Sequence, residues 1–180
     1  YGFAYSGFVN GENEAAAAIS GNIAYTGASQ SATQVGDYPI GVDVSGLSAA
    51  NYSIQAGANA ELSISKRDIT GTFVASNKTY DGTNTATIAS ATVVPLVVDN
   101  GKLSLTGGTA LFDDENVGNA KTVTASGMVL SGDAAGNYNL VSVANTSANI
   151  NARALAVTAT GTDKVYDGTA TATVNLSDDR

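Results

Sequence analysis

The sequence contains no cysteine, no histidine and no tryptophan among its 180 residues, and only two prolines and one methionine. Without cysteine there are no disulfides, and without cysteine or histidine the usual structural zinc sites are excluded. Catalysis by Ser-His-Asp or Cys-His groups is excluded for the same reason. These absences remove the commonest catalytic and metal-binding side chains from consideration.

Basic residues are also scarce, since eight Lys and Arg stand against sixteen Asp and Glu and give a net charge of −8. Nucleic-acid-binding proteins usually present a clustered basic face, and anionic membrane surfaces attract basic segments. The chain has neither feature. It also lacks the run of about 18 apolar residues that a membrane-spanning helix needs. We therefore expect no nucleic-acid partner and no membrane insertion.

Hydrophobic residues alternate with polar ones in several short segments, a pattern typical of strands with one buried face. The segments are Tyr38–Val44 (YPIGVDV), Glu61–Ser65 (ELSIS), Lys102–Thr106 (KLSLT) and Ala154–Thr160 (ALAVTAT). In the last of them we expect Leu155, Val157 and Ala159 to point inward. Short strands between Gly- and Asn-containing turns indicate a sandwich or barrel. Only Glu12–Ser20 could be helical, over barely two turns, so we predict an all-β fold.

One string of residues occurs twice. KTYDGTNTAT spans Lys78–Thr87 and KVYDGTATAT spans Lys164–Thr173, and the difference between positions 80 and 166 is 86 residues. Self-similarity at a fixed period is the signature of repeated modules. We predict a first module at residues 1–65 that lacks its opening strand, a second at 66–152, and the truncated start of a third at 153–180. We therefore expect the chain to be a segment of a longer protein.

The repeated string has a simple structural interpretation. Tyr80 and Tyr166 are expected to supply large buried rings with a polar handle. Asp81 and Asp167 are expected to cap a turn by bonding the backbone two residues on. Gly82 and Gly168 are expected to allow a positive φ angle. Outside the string, Tyr38 follows a Gly-Asp pair, which is the local context of the tyrosine corner of immunoglobulin-like sandwiches.

Three further chemical hypotheses compete with this structural interpretation. Lys78 is the residue that we would test for an intramolecular isopeptide bond to an Asn or Asp. Asp113, Asp114 and Glu115 form the densest acidic cluster and are the candidates for a weak calcium site. The aromatic residues Tyr1, Phe3, Tyr5 and Phe8 fit a core, with a sugar-binding platform as the alternative. Scattered acids on repeated turns do not build the facing pair of a glycosidase, so we predict no enzyme activity.

Several motifs resemble known bacterial repeats. SGFVNGE, VGDYPI, AANYSI and AELSIS, between Ser6 and Ser65, resemble the MBG (YGX-type) repeat of large surface proteins. KTYDGT, NVGNAKTV and GNYNL, within residues 66–152, resemble the YDG repeat, and residues 153–180 resemble the start of another. The resemblance implies a secreted or cell-surface exoprotein or adhesin of the filamentous-haemagglutinin or two-partner-secretion kind. These families bring no established catalytic residues.

We therefore predict tandem immunoglobulin-like β-sandwich modules, with β-grasp-like modules as the alternative fold. Their expected function is that of non-enzymatic stalk or spacer repeats which project an adhesive tip from the cell. The alternative is an adhesive module that itself binds a glycan or a protein. The expected partners are the neighbouring modules of the same chain and, through the parent protein, a host or matrix glycan or protein. No cofactor is expected apart from the calcium considered above.

Overall fold

The computed structural model describes residues 2–178, which form fifteen strands joined by turns and three short 3-10 segments. The all-β prediction is confirmed. The 3-10 segments are Ala28–Ser31, Val97–Asp99 and Ala135–Asn137. The chain divides into a unit of residues 1–68 with 136–139 and a unit of residues 69–135 with 140–180. Within residues 2–178, no helix has the length and apolar character needed to cross a membrane.

The first unit contains two small antiparallel sheets. Its strands are β1 (Ser20–Gly21), β2 (Ala24–Thr26), β3 (Gly36–Asp43), β4 (Leu47–Ser48) and β5 (Ala60–Ile64). Strand β3 lies between β2 and β5, and β1 pairs with β4. Along β3, Tyr38 and Ile40 are half-buried whereas Pro39 and Asp43 are exposed. The predicted alternation holds at these positions, but Gly41, which the same pattern places on the outward face, is buried.

The segment Glu12–Ser20 forms a turn and not a helix. The Ala17 N–H donates to the Asn13 carbonyl at 2.9 Å, and the Asn13 side chain accepts from the Ala16 N–H at 3.0 Å. Ala18 then has a φ angle of +51°. A left-handed residue cannot continue a right-handed helix. The chain therefore leaves the turn at once and enters β1.

The stretch of residues 67–151, which makes up the main body of the second unit, contains two sheets. Its strands are β6 (Arg67–Ala75), β7 (Lys78–Thr79), β8 (Thr85–Ala86), β9 (Ile88–Val93), β10 (Ser104–Phe112), β11 (Gly118–Ser131), β12 (Tyr138–Val143) and β13 (Thr146–Asn151). One sheet has the order β12-β6-β9, and the other has the order β7-β13-β11-β10-β8. Two sheets with a shared core are the architecture of a β-sandwich. The immunoglobulin-like form of that sandwich stays a prediction.

Both sheets contribute to one hydrophobic core. Its buried members are Phe73, Ala75, Ala110, Phe112, Val123, Ala148 and Ile150. Val123 and Ile150 are the most deeply buried of the large side chains, with 0% and 1% of their surface exposed. Along β6, buried residues alternate with exposed ones from Ile69 to Ala75. The period of two places one face of each strand against the core.

The path of the chain separates the two ends of the second unit. At one end, the Ala144 N–H donates to the Gly71 carbonyl at 2.9 Å. Further along, β7 pairs in parallel with β13, with Lys78 opposite Ile150. The chain from Gly71 to Lys78 and the chain from Ala144 to Ile150 therefore run in the same direction. Residue 67, at the start of β6, therefore lies toward one end of this body, here called the near end. Residue 151, at the end of β13, lies at the opposite end, here called the far end.

The third predicted module appears as a two-stranded antiparallel sheet. It consists of β14 (Val157–Thr162) and β15 (Thr173–Asp178). The prediction that Leu155, Val157 and Ala159 point into a core is wrong, because Leu155 is 57% exposed and every residue of β14 is exposed. The alternation of Leu155, Val157 and Ala159 with the residues between them does correspond to a strand, since β14 covers Val157–Thr162. Within the described residues, however, no second sheet covers this one.

Candidate functional site

The repeated string forms a loop at the far end of the second unit, organised around one ammonium group. Lys78 Nζ donates to Asp81 Oδ1 at 2.7 Å, to the Thr83 carbonyl at 2.7 Å and to Thr83 Oγ1 at 3.0 Å. It also donates to the Thr85 carbonyl at 3.0 Å. Four acceptor atoms from the five consecutive positions 81–85 thus surround a single cation. We call this arrangement the lysine clamp.

Asp81 also stabilises the bend of the loop through hydrogen bonds from Thr83. Asp81 Oδ1 accepts hydrogen bonds from the Thr83 N–H and from Thr83 Oγ1, both at 2.9 Å. A carboxylate that bonds the backbone two residues on closes an Asx turn. Gly82, between them, has a φ angle of +76°, which glycine adopts without steric cost. Asp81 and Gly82 therefore determine the conformation of the bend, and the Lys78 ammonium binds the acceptors that the bend brings together.

The second copy of the string forms the same loop. Lys164 Nζ donates to Asp167 Oδ1 at 2.9 Å, to the Thr169 carbonyl at 2.9 Å and to Thr169 Oγ1 at 3.0 Å. Asp167 again accepts from the Thr169 N–H, at 3.0 Å, and Gly168 has a φ angle of +73°. This copy adjoins only a two-stranded sheet. The string therefore encodes its own loop geometry locally.

The clamp changes the acidity of its carboxylate. The hydrogen bond from Lys78, followed by those from the Thr83 backbone and side chain, lowers the pKa of Asp81 from 3.8 to about 2. The same contacts from Lys164 and Thr169 lower the pKa of Asp167. Hydrogen bonds that favour the ionised form have this effect. Asp81 therefore stays ionised at physiological pH and is a poor proton donor.

The loop also joins the two edges of the five-stranded sheet. It leaves β7 at one edge and enters β8 at the other. The Tyr80 N–H donates to the Asn151 carbonyl at 2.8 Å, and the Phe112 N–H donates to the Asn84 carbonyl at 2.8 Å. Lys78 Nζ lies 5.8 Å from the centroid of the buried Phe112 ring. The loop is thus fastened near both edges of the five-stranded sheet.

The prediction that the two motif tyrosines are buried is wrong. Tyr80 is 39% exposed and Tyr166 is 94% exposed. For Tyr80 the reason is that β7 is a two-residue edge strand that ends at Thr79. For Tyr166 it is that the described residues around the second copy form only a two-stranded sheet, which cannot enclose the ring. The aliphatic stem of Lys78, whose side chain is only 16% exposed, lies inward instead. Long lysine stems commonly cover apolar surface in this way.

The surroundings of Lys78 differ from those that an isopeptide bond between distant strands would require. Within residues 2–178, the only Asp or Asn side chain that bonds Lys78 Nζ is Asp81, three residues away. Such a link would not staple two distant strands. Amide formation also needs a neutral amine and a protonated acid, whereas the low pKa of Asp81 keeps that carboxyl ionised. The contacts of Lys78 are those of a loop clamp.

Comparisons with known families agree with this geometry. The model of the YDG domain matches residues 65–148, and the model of the MBG domain (YGX type) matches residues 1–63. The chain consists largely of an MBG domain and a YDG domain. The resemblance to these two repeats is therefore confirmed. Comparison with curated proteins and with solved structures found no match.

Two carboxylates of the acidic cluster in the YDG domain contact a second lysine. Lys121 Nζ lies 2.6 Å from Asp114 Oδ1 and 3.1 Å from Asp113 Oδ1, and its side chain is 10% exposed. These contacts raise the pKa of Lys121, and the hydrogen bond from Lys121 lowers the pKa of Asp114. Glu115 is exposed. Within residues 2–178, no group of three or more Asp, Glu, His or Cys side chains converges as metal ligands would.

In the MBG domain, Tyr38 makes the backward hydrogen bond that a tyrosine corner requires. Its hydroxyl donates to the carbonyl of Gln34, four residues earlier, at 2.9 Å. Gly36, between them, has a φ angle of +153°. A Cβ atom at this position would lie 3.3 Å from the Tyr38 hydroxyl oxygen. The glycine thus lets the ring fold back over the turn that precedes β3.

The N-terminal aromatic residues of the MBG domain form two edge-to-face pairs. Phe3 and Tyr5 have ring centroids 5.6 Å apart, and Phe8 and Tyr52 have centroids 5.7 Å apart. Tyr5 and Phe8 are half-buried, whereas Phe3 is 54% exposed. Tyr1 lies outside the described residues. The sequence pattern missed Tyr52, because a separation of 44 positions from Phe8 leaves no periodic signal.

Proposed function

We propose that these MBG and YDG modules are non-enzymatic spacers in the stalk of a long bacterial surface or secreted adhesin. The observation that carries the proposal is the parallel pairing of β7 with β13, which puts the two chain ends of the YDG domain at opposite ends. A module of this kind adds length each time it is repeated. A module whose ends lay side by side would instead fold the chain back.

The linker to the next copy is short. Strand β13 ends at Asn151 and β14 begins at Val157, so five residues, 152–156, join them. Five residues span at most about 18 Å when fully extended. The carbonyl of Asn151 is itself bonded to the Tyr80 N–H of the clamped loop. A short linker that leaves a fastened far end supports a spacer of limited flexibility.

The charge of the chain also suits a dense array of stalks. A net charge of −8 makes neighbouring chains repel one another and keeps them soluble. Each lysine clamp pairs with one surface carboxylate, since Asp81 and Asp167 both remain 51% exposed. The proposal includes no reaction and no cofactor. The partners that it implies within the chain are the modules on either side.

The length of tandem arrays tests the spacer proposal. Chains with two, four and six copies of residues 66–151 are measured by small-angle X-ray scattering. The longest strand, β11, has 14 residues, so each copy is expected to add about 40 Å to the maximum dimension. Linear growth with copy number supports a spacer. Growth with the square root of copy number is the behaviour of a flexible string and would contradict it.

The proposed location requires a separate measurement. Intact cells of the bacterium that produces the parent protein are treated with an external protease, and these modules are followed with an antiserum. Surface stalk modules are expected to be degraded while a cytoplasmic marker survives. Protection of the modules in intact cells, with degradation only after lysis, would show that they are not exposed outside the cell.

A further inference from the structure

A small cavity in the MBG domain has no role in a spacer. It has a volume of about 190 Å³ and lies between the N-terminal segment and the segment after β4. Its ten lining residues include Tyr5, Ser6, Phe8, Tyr52, Ser53 and Gln55. Three of the ten are aromatic, three are uncharged polar residues, and the other four are small or aliphatic. This mixture is typical of small-molecule sites, in which apolar walls carry a few polar groups.

One wall of the cavity is held in place before any ligand arrives. The Tyr52 hydroxyl accepts a hydrogen bond from the Val9 N–H at 3.3 Å and donates one to the carboxylate of Glu12. Its ring packs edge-to-face on Phe8. A side chain with three such contacts is already ordered. Binding to a preorganised wall avoids much of the entropy cost of immobilising side chains.

The polar residues of the cavity are available for a ligand. The side chains of Ser6, Ser53 and Gln55 make no hydrogen bond within residues 2–178. No Lys or Arg lines the cavity. An anionic ligand such as a phosphate would therefore find no counter-charge. The groups present suit a neutral molecule that has an apolar face and several hydroxyl groups at its edge.

The size of the cavity limits the ligand. Pockets for drug-sized ligands have volumes of roughly 300–1,000 Å³, so this cavity suits about one six-membered ring. We propose that it binds a single neutral pyranose unit of a glycan. The C–H groups on one face of the sugar pack on the aromatic walls, and its hydroxyls exchange hydrogen bonds with Ser53 and Gln55. The MBG domain then has a binding function in addition to its spacer role.

A cationic ligand is the main competitor, because aromatic rings also attract quaternary ammonium groups. A carboxylate beside the rings would strengthen cation binding, but the lining residues include no Asp or Glu. The Glu12 carboxylate accepts the hydrogen bond of Tyr52 and is not among the lining residues. The side chains without partners are instead those that bond hydroxyl groups. The observations therefore favour the sugar.

The test is an NMR titration of the full 180-residue chain labelled with ¹⁵N. The probes are the methyl pyranosides of galactose, glucose, mannose and xylose, with choline as the cationic probe. For a ligand of about a dozen heavy atoms, the expected dissociation constant is about 1 mM. Saturable shifts of the Ser53 and Gln55 amides with at least one sugar support the proposal. No saturable shift with any sugar, or saturation with choline alone, overturns it.

Variants identify the site. Tyr5→Ala is expected to weaken sugar binding about tenfold or more through loss of an aromatic wall, and Gln55→Ala about threefold to tenfold through loss of a hydrogen-bond partner. The matched control is Tyr166→Ala, which removes a 94% exposed tyrosine elsewhere and should leave the affinity unchanged. If Tyr5→Ala unfolds the domain, Gln55→Ala decides, and unchanged affinity in that variant overturns the proposal. The spacer test uses YDG copies only, so the two proposals fail independently.

Discussion

Replacing Lys78 by methionine removes the charge at the centre of the clamp while keeping a long apolar side chain. The hydrogen bond from Lys78 is the largest of the effects that lower the pKa of Asp81 to about 2. Without it, we expect that pKa to rise toward the ordinary value of 3.8. It should stop short of that value, because the Thr83 N–H and hydroxyl still donate to the same oxygen.

The sign of the pH dependence follows from the direction of the shift. A carboxyl whose pKa is lower in the folded state stabilises that state above its unfolded pKa, and the stabilisation is lost as the pH falls through the folded pKa. In the native chain, the clamp should therefore persist through pH 3.8 and open only near pH 2. In Lys78→Met, the loop should lose its remaining aspartate contacts at a higher pH.

The assay is an NMR pH titration of the Asp side-chain carboxyl carbons in the full chain. The second copy provides the matched control, since Lys164→Met should raise the pKa of Asp167 and leave that of Asp81 unchanged. Two results would refute the reasoning. One is titration of Asp81 near 3.8 in the native chain, and the other is an unchanged Asp81 pKa in Lys78→Met.

Three further predictions concern stability, each measured by urea titration with domain-specific amide NMR signals. Phe112→Ala should destabilise the YDG domain by about 3–5 kcal/mol, because it removes the ring from a core site that is 2% exposed. The control Val97→Ala, at a position 92% exposed, should change stability by less than about 0.5 kcal/mol. Equal effects of the two variants would disprove the core assignment. Tyr38→Phe should cost the MBG domain about 0.5–1.5 kcal/mol through loss of the bond to Gln34, and no loss would mean that this bond is not net stabilising. Gly82→Ala should cost the YDG domain about 1–2 kcal/mol, because alanine is strained at a φ angle of +76°, and an unchanged domain would show that the loop adopts another conformation.

The sequence predicts the strands and the bend of the YDG loop well, because both depend on local rules. Alternation identified β3 with its inward Tyr38, and the Asp-Gly pair identified a turn with a positive φ angle at Gly82. The signal for the clamp was also present, since a Lys stands three residues before the Asp in both copies. The spacing does not reveal the whole clamp, because two of the four acceptors are the backbone carbonyls of Thr83 and Thr85, whose direction depends on the folded turn.

Other features depend on contacts that no spacing reveals. Asp113 and Asp114 contact Lys121 only because β10 and β11 form a hairpin that brings them together. The exposure of Tyr80 depends on where β7 ends at the edge of the sheet. Tertiary position decides both outcomes. A sequence taken alone shows the charges and the ring but not which neighbours they meet.

The two copies of the YDG string are followed by strands that pair differently, with a register shift in the first copy and none in the second. Pairing of β6 with β9 shifts register between Val74 and Ala75, whereas β14 and β15 pair without a shift. Ala89 is the unpaired residue of β9, because Ser90 pairs with Val74 and Ile88 with Ala75. One extra residue in a strand is a β-bulge. In β15, Val174 and Leu176 keep a period of two, so no bulge is needed.

The parallel contact between β7 and β13 has a mechanical consequence. A pull on the two ends of the YDG domain draws β7 back toward the near end, because β6 precedes it, while β13 is drawn forward beyond the far end. The two strands then slide along each other, and the bonds that join them, including Tyr80 N–H to the Asn151 carbonyl, are loaded together rather than one after another. Tension along the chain therefore meets resistance in shear before the core can open.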